Sequence, residues 1–150
     1  MPPTQFPLEI RPAEGSDLGF IRQLLVDQFL PAGDLITSPI DFLVALDADE
    51  NIKGCIGMEV YGENGFVRSF SVQENIKNTG IGSALLERLM EVSKSKGIRN
   101  LHLLTTTAET YFQKKGFIKT DRKDAPESIK QTTEFKGMCV SSAIYMVKTN

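Results

Sequence analysis

One segment constrains this chain more than any other: SVQENIKNTGIGSALLERL, residues 71–89. An extended run enters a polar loop carrying Gly80 and Gly82, and the loop opens onto Ile81, Ala84, Leu85, Leu89 and Val92 at helical spacing. The periodicity predicts a helix over 80–96, stopped by Gly97. A strand that runs through a glycine loop into a helix aims unpaired backbone N–H groups and the positive end of the helix dipole at one point. Such a point suits phosphate. The glycines admit close approach of a ligand, and Lys77 adds a point charge. A P-loop fails here, because Ser83-Ala84 stands where Lys-Ser/Thr is required. A dinucleotide fingerprint needs Gly or Ala where the chain has Leu85. A plain two-glycine turn is the competing structural reading.

The rest of the chain surrounds this segment with a recognisable order. Residues 8–11 read as extended, and 14–29 as an amphipathic helix with Leu18, Ile21, Leu24, Leu25 and Phe29 on one face and Ser16 as its cap. A loop at 31–39 follows, rich in Pro, Gly, Asp and Ser. DFLVALD, KGCIGMEVYG and FVRSFSV then read as an antiparallel meander, with a turn at 48–51 and a second at Glu63-Asn64-Gly65. After the helix come the strand RNLHLLTTT, a short helix over 107–115 with Thr106 and Glu109 at capping-box spacing, and the strand FIKT after Gly116. Residues 124–137 read as helical with Pro126 in the first turn, and 143–148 as a last strand. The order predicts a mixed α/β (α+β) fold, a sheet covered by helices, in one domain over 1–150.

Composition excludes several functions. No apolar run in the 150 residues approaches the ~18 needed to span a bilayer, and the N-terminus lacks a signal-peptide pattern, so the expectation is a cytoplasmic protein with no membrane partner. Two cysteines, Cys55 and Cys139, and one histidine, His102, cannot build a Cys/His zinc site, so no metal is expected. A Cys–His catalytic pair is set aside, since isolated cysteines commonly serve as small buried hydrophobes. The net charge of −2 conceals a split: residues 1–75 hold 4 basic and 12 acidic side chains, and 76–150 hold 13 and 7. The second half is suited to a polyanion.

Two strings give that polyanion a chemistry. Val72-x4-Lys77-x2-Gly80-x-Gly82 resembles the acetyl-CoA-binding motif of the GNAT family of N-acetyltransferases, with Lys77 where the family commonly has Arg or Gln. Ala108-x2-Tyr111-Phe112-x3-Gly116-Phe117 resembles the family's second motif, and the element order matches over nearly the whole chain. The resemblance implies a central mixed, mostly antiparallel sheet with helices on both faces, and acetyl-CoA as the acetyl donor. It implies cofactor binding by Phe70, Ser71, Val72, Lys77, Asn78, Thr79, Gly80, Ile81, Gly82, Ser83 and Phe112. Amides around Ile76 to Gly82 would hold the pyrophosphate, the strand from Ser69 to Val72 would pair with pantetheine, and the amide near Val72 would face the thioester oxygen. Such a preorganised donor is worth roughly 3–4 kcal/mol in comparable sites. A small primary amine would attack directly, with no covalent enzyme intermediate.

Two departures stand out. The family's acid Tyr falls on Phe112, and Tyr111 lies about 100° around the helix, so either Tyr111 substitutes or no side-chain acid exists. Thr105 stands where the family often has Asn. The base that deprotonates the amine is assigned first to Glu59, with Glu74 and Glu134 behind it, while His102, among apolar neighbours, reads as a packing residue.

The wording of 66–146, including Pro126, Ile129, Thr132, Glu134, Phe135, Cys139, Ser141 and Ala143, is similar to a subfamily of small acetyltransferases associated with arsenic-resistance gene clusters. The twenty residues after FIKT would cover the acceptor side, with Arg122, Thr132, Cys139, Ser141 and Ser142 as contacts. Arg122 would suit a carboxylate, hence an amino acid or amino-acid-like toxin. Lys114, Lys115 and Arg88 are candidates for the distal phosphate. A non-catalytic acyl-CoA-binding regulator is the alternative function. Nucleic-acid binding has only the basic half behind it and is not expected, and the oligomeric state is open, a homodimer included.

Overall fold

The alternation over 40–72 becomes the backbone of a seven-stranded sheet. The computed structural model describes residues 9–30, 32–35, 37–73, 80–138 and 142–150. Strands β1 (Glu9–Pro12), β2 (Ile40–Leu46), β3 (Ile52–Tyr61) and β4 (Asn64–Val72) pair antiparallel in sequence order. Helix α2 (Ile81–Ser95) carries the chain across to β5 (Asn100–Thr105), which pairs parallel with β4, as a crossover of this length permits. Beyond β5 lie β7 (Ile144–Thr149) and the two-residue edge strand β6 (Ile118–Lys119), both antiparallel to their neighbours.

Helices cover both faces, as the resemblance implies. The apolar stripe of α2 (Ile81, Leu85, Leu86, Leu89) packs with Ile56, Met58, Val67, Leu101 and Leu103, and Phe112 of α3 (Glu109–Lys114) joins the same cluster. On the opposite face α1 (Leu18–Asp27) buries Ile21, Leu24 and Leu25 against Phe42, Val44 and Cys55. The short α4 (Glu127–Lys130) sets Ile129 beside Phe66 and Tyr145. Truncating a fully buried residue such as Leu85 would cost about 2–5 kcal/mol. Among the described residues no helix is long and apolar enough to cross a membrane.

Several local expectations are corrected. The second hairpin turns at Gly62-Glu63, with Gly62 at φ +61°, and Asn64 already pairs with Tyr61. Gly65 is a packing glycine: a Cβ there would lie 2.8 Å from Met58 Sδ. The first helix is not capped by Ser16, which sits inside a 3-10 turn (Gly15–Asp17), where Glu14 and Asp17 cap reciprocally and Asp17 also receives Arg11 at 2.8 Å. At α3 the expected Thr106 cap is absent: the N-cap position is Ala108, which makes no side-chain cap bond, and Thr105 Oγ1 accepts from the Ala108 amide at 3.1 Å just ahead of the helix. The expected helix at 124–137 breaks into a 3-10 turn (Arg122–Asp124), α4 and a π-type turn (Glu134–Met138). Thr132 Oγ1 bonds Ile129 O at 2.8 Å, a local alternative to continued helix, and Glu134 turns to an ion pair with Arg68.

Candidate active site

Strands β4 and β5 touch over three residue pairs, ending at Phe66 and His102, and then part. A bulge in β4 accompanies the parting. Cys55 faces Ser71 and Gly57 faces Arg68, so one residue of β3 spans two of β4, and Ser69 takes φ +54°. The extra residue moves Phe70 and Val72 onto the α2 face with Val67, while Arg68 and Ser71 stay on the other face. Gln73 N–H donates to Lys53 O at 2.8 Å, so by alternation the neighbouring Gly54–Val72 pair is the one that exchanges no hydrogen bonds. The Val72 amide therefore points away from β3, toward the side that β5 has left.

The parting opens a cleft of about 1070 Å³. One side is built from Phe70, Val72, Gly80, Gly82, Ser83, Thr105 to Ala108, Tyr111 and Phe112. Gly80 caps α2 at φ +91°, and among the described residues nothing lies within 4 Å of an added Cβ, so none of them closes the helix start to a ligand. Ser83 Oγ and Tyr111 Oη are 3.0 Å apart. Phe112 is buried edge-on to Phe117, with centroids 5.5 Å apart. Of the expected cofactor set, Phe70, Ser71, Val72, Gly80, Gly82, Ser83 and Phe112 border the cleft, and Ile81 is buried in the α2 core. Glu74, Ile76, Lys77, Asn78 and Thr79 lie outside the described residues, as do Cys139 and Ser141. An open helix start beside an unpaired strand edge fits a phosphate-bearing thioester such as acetyl-CoA, which brings the acetyl group.

The other side is charged. Arg68 is 3 % exposed, and three carboxylates surround its guanidinium. Asp34 accepts from Nη1 and Nη2 at 2.5 and 2.6 Å, Glu59 from Nη1 at 2.9 Å, and Glu134 lies 3.1 Å from Nε. Tyr61 donates its hydroxyl to Glu59. Burial pushes the Tyr61 phenol up, and Glu59 pushes it further. Burial opposes ionisation of Asp34, yet hydrogen bonds from Arg68 and Ser38 outweigh it and hold the carboxyl below its ordinary range. Burial likewise works against the Arg68 cation, and the carboxylates more than restore it. Arg68 and Glu134 border the cleft; Glu59 is placed behind Arg68, 1 % exposed. Arg122 donates to Ala143 O at 2.7 Å and lies over the Phe135 ring, and Thr132 is buried under its turn.

Sequence reading missed Asp34, Tyr61 and Arg68 as a unit. The available signal was a charged residue inside the apolar strand FVRSFSV, but its partners lie 34, 9 and 66 positions away. His102 is indeed a packing residue, with a defined network. Asn64 Oδ1 can only accept, so Nε2–H donates to it at 2.8 Å, and Nδ1 accepts from Tyr145 at 2.7 Å. Burial lowers the ring to about 4. Burial also pushes the Cys55 thiol up to about 12, which removes it as a nucleophile at neutral pH. Among the described residues no group of three or more His, Cys, Asp or Glu side chains is placed so that it could hold a metal ion.

A sheet split between its parallel pair, with a helix start on one side and a bulged strand edge as floor, leaves a cleft suited to a phosphate-bearing ligand. The chain belongs to the GNAT acetyltransferase domain family, whose model matches residues 38–119. It is 26% identical over 136 residues to the amino-acid acetyltransferase of Escherichia coli K12, covering 85% of this chain and 31% of that one. It is 29% identical over 111 residues to an uncharacterised N-acetyltransferase of Chlorobaculum tepidum, covering 73% and 70%. The chain thus spans about a third of the length of the amino-acid acetyltransferases it matches. Its fold is shared with N-acetylglutamate synthase of Neisseria gonorrhoeae, solved with coenzyme A and N-acetyl-glutamate (TM-score 0.78, 21% identity, 95% and 35% coverage). A Mycobacterium tuberculosis protein solved with CoA is equally similar (TM-score 0.78, 22% identity, 95% and 99% coverage).

Proposed function

We propose that this chain transfers the acetyl group of acetyl-CoA to a small primary amine by direct attack of the amine on the thioester. The observation that carries the reading is the β4 edge: the Val72 amide faces the cleft beside the open start of α2. That amide would receive the thioester oxygen as charge develops on it. The amine arrives mostly protonated and must lose a proton. Glu134 is the carboxylate that borders the cleft, so it takes this role ahead of Glu59, which holds Arg68 from behind.

Among the described residues, the charged side chains on the cleft wall are Arg68 and Glu134, and Arg68 is already surrounded by carboxylates. This supports an amine without a neighbouring carboxylate. The name of the amino-acid acetyltransferases supports amino acids instead. The test is a thermal-stability shift with CoA and acetyl-CoA, followed by thiol release across amines, amino acids and amino-acid-like toxins of the arsenic-resistance setting. No shift at millimolar acetyl-CoA would overturn the proposal. Phe112, an apolar ring at the family's acid position, favours one second reading, a non-catalytic acyl-CoA sensor; it keeps the shift and shows no turnover with any acceptor.

A further inference from the structure

Helix α3 presents two adjacent rings in different directions, and the difference assigns their work. Phe112 turns inward, 7 % exposed, edge-on to Phe117 and tilted against Phe70 with centroids 6.1 Å apart. Tyr111 stays on the cleft wall. Its ring lies 6.4 Å from that of Phe70, its hydroxyl meets Ser83 in the first turn of α2, and Lys115 Nζ stands 5.6 Å from its ring centroid. Lys115 Nζ also lies 3.9 Å from Glu87 on α2. The Tyr111 hydroxyl is therefore tied to the helix start.

We infer that Tyr111 and Ser83 form a hydroxyl pair that holds the phosphate-bearing arm of the cofactor, and that the departing thiol receives no proton from a side chain. The inference rests on the acetyltransferase reading. Two hydroxyls carry two protons; one lies between them and the other is left to donate outward, at a helix end that already favours negative oxygen. Departure without an acid is chemically adequate. The amine nitrogen's lone pair forms the N–C bond, the C–S bond breaks and sulfur leaves with the electron pair. A thiol, far more acidic than an alcohol, leaves as thiolate and is protonated by water, while the proton shed by nitrogen goes to the base.

The experiment compares wild type, Tyr111→Phe, Ser83→Ala and the double variant. CoA binding is measured by calorimetry, and kcat and KM for acetyl-CoA are followed across pH with the best acceptor. Each single change should weaken CoA binding and raise KM by about tenfold, the worth of one hydrogen bond to a charged group. The double variant should be no weaker than the worse single one, because the two hydroxyls act as a unit. The alkaline limb of the kcat profile should stay in place. A hundredfold loss of kcat in Tyr111→Phe, with that limb gone and CoA binding intact, would overturn the inference in favour of an acid. Unchanged CoA binding in both single variants would also overturn it. Wild type that does not bind CoA would instead sink the acetyltransferase reading itself.

Discussion

The two sides of the cleft are held by different physics. The side proposed for the cofactor is local: a strand, a left-handed Gly80 and the first turn of α2 follow one another within a dozen residues, and much of what it offers is backbone. The side proposed for the acceptor is assembled from positions 34, 59, 68 and 134, and its groups are ion-paired side chains out of water. A backbone cradle keeps its fold through changes of side chain, because its donors remain. A buried ion cluster does not, since each member is stable only through the others.

That contrast is broken most forcefully at Arg68. In Arg68→Leu three buried carboxylates lose their shared cation, and the expected loss is about 3–5 kcal/mol of unfolding free energy, read from urea denaturation. The surviving carboxyls should then protonate in the fold, so the variant should recover stability as pH falls. Between the unfolded carboxylate range and their raised values the folded state binds more protons, and stability must drop as pH rises through that window. A variant as stable as wild type at pH 7 would show the cluster to be surface decoration and erase the distinction.

The same contrast explains what was legible beforehand. Glycine spacing, the α2 stripe and the Gly116-Phe117 stop are short-range signals, and each marks an element the structure contains. The meander was visible for the same reason, although the turn slipped from Asn64-Gly65 to Gly62-Glu63, because both dipeptides carry turn chemistry and only packing against Met58 separates them. Arg68 gave a signal that could not be read alone. One charged residue in a strand reads as a solvent-facing position until its partners are placed in space, and Asp34 lies in a loop whose path no periodicity encodes. The π-type turn at Glu134 was hidden likewise, since its pattern is that of a helix until Thr132 and Arg68 compete for it.

Between the two sides stands the hinge where β4 and β5 separate. His102 occupies the last paired position there and ties β5 to Asn64 on β4 and Tyr145 on β7. Its ring is held at about 4, against about 6.5 unfolded, so above pH 6.5 both states leave it neutral. From pH 6.5 down to 4 the unfolded chain takes a proton that the folded chain refuses, and stability falls by at most about 3 kcal/mol. Urea midpoints at pH 7 and pH 5 should therefore differ in wild type and converge in His102→Gln. Equal slopes in the two proteins would assign the acid sensitivity to the carboxylates of the acceptor side.

The gentlest test concerns the cofactor side alone. In Gly82→Ala the new Cβ lies 3.5 Å from Phe70 and Val72 atoms, which is ordinary contact, and α2 exchanges a glycine for the best helix former. Stability should hold or rise, by up to about 1 kcal/mol. The methyl nevertheless stands on the cleft wall where the proposed cofactor arm would lie against the helix start, so CoA affinity should fall by calorimetry while the melting temperature does not. Binding and stability would then part company on this side, whereas at Arg68 it is stability that falls. If Gly82→Ala melts early as well, the cofactor cradle is bound into the core as tightly as the ion cluster, and the difference between the two sides is one of sequence distance rather than of physics.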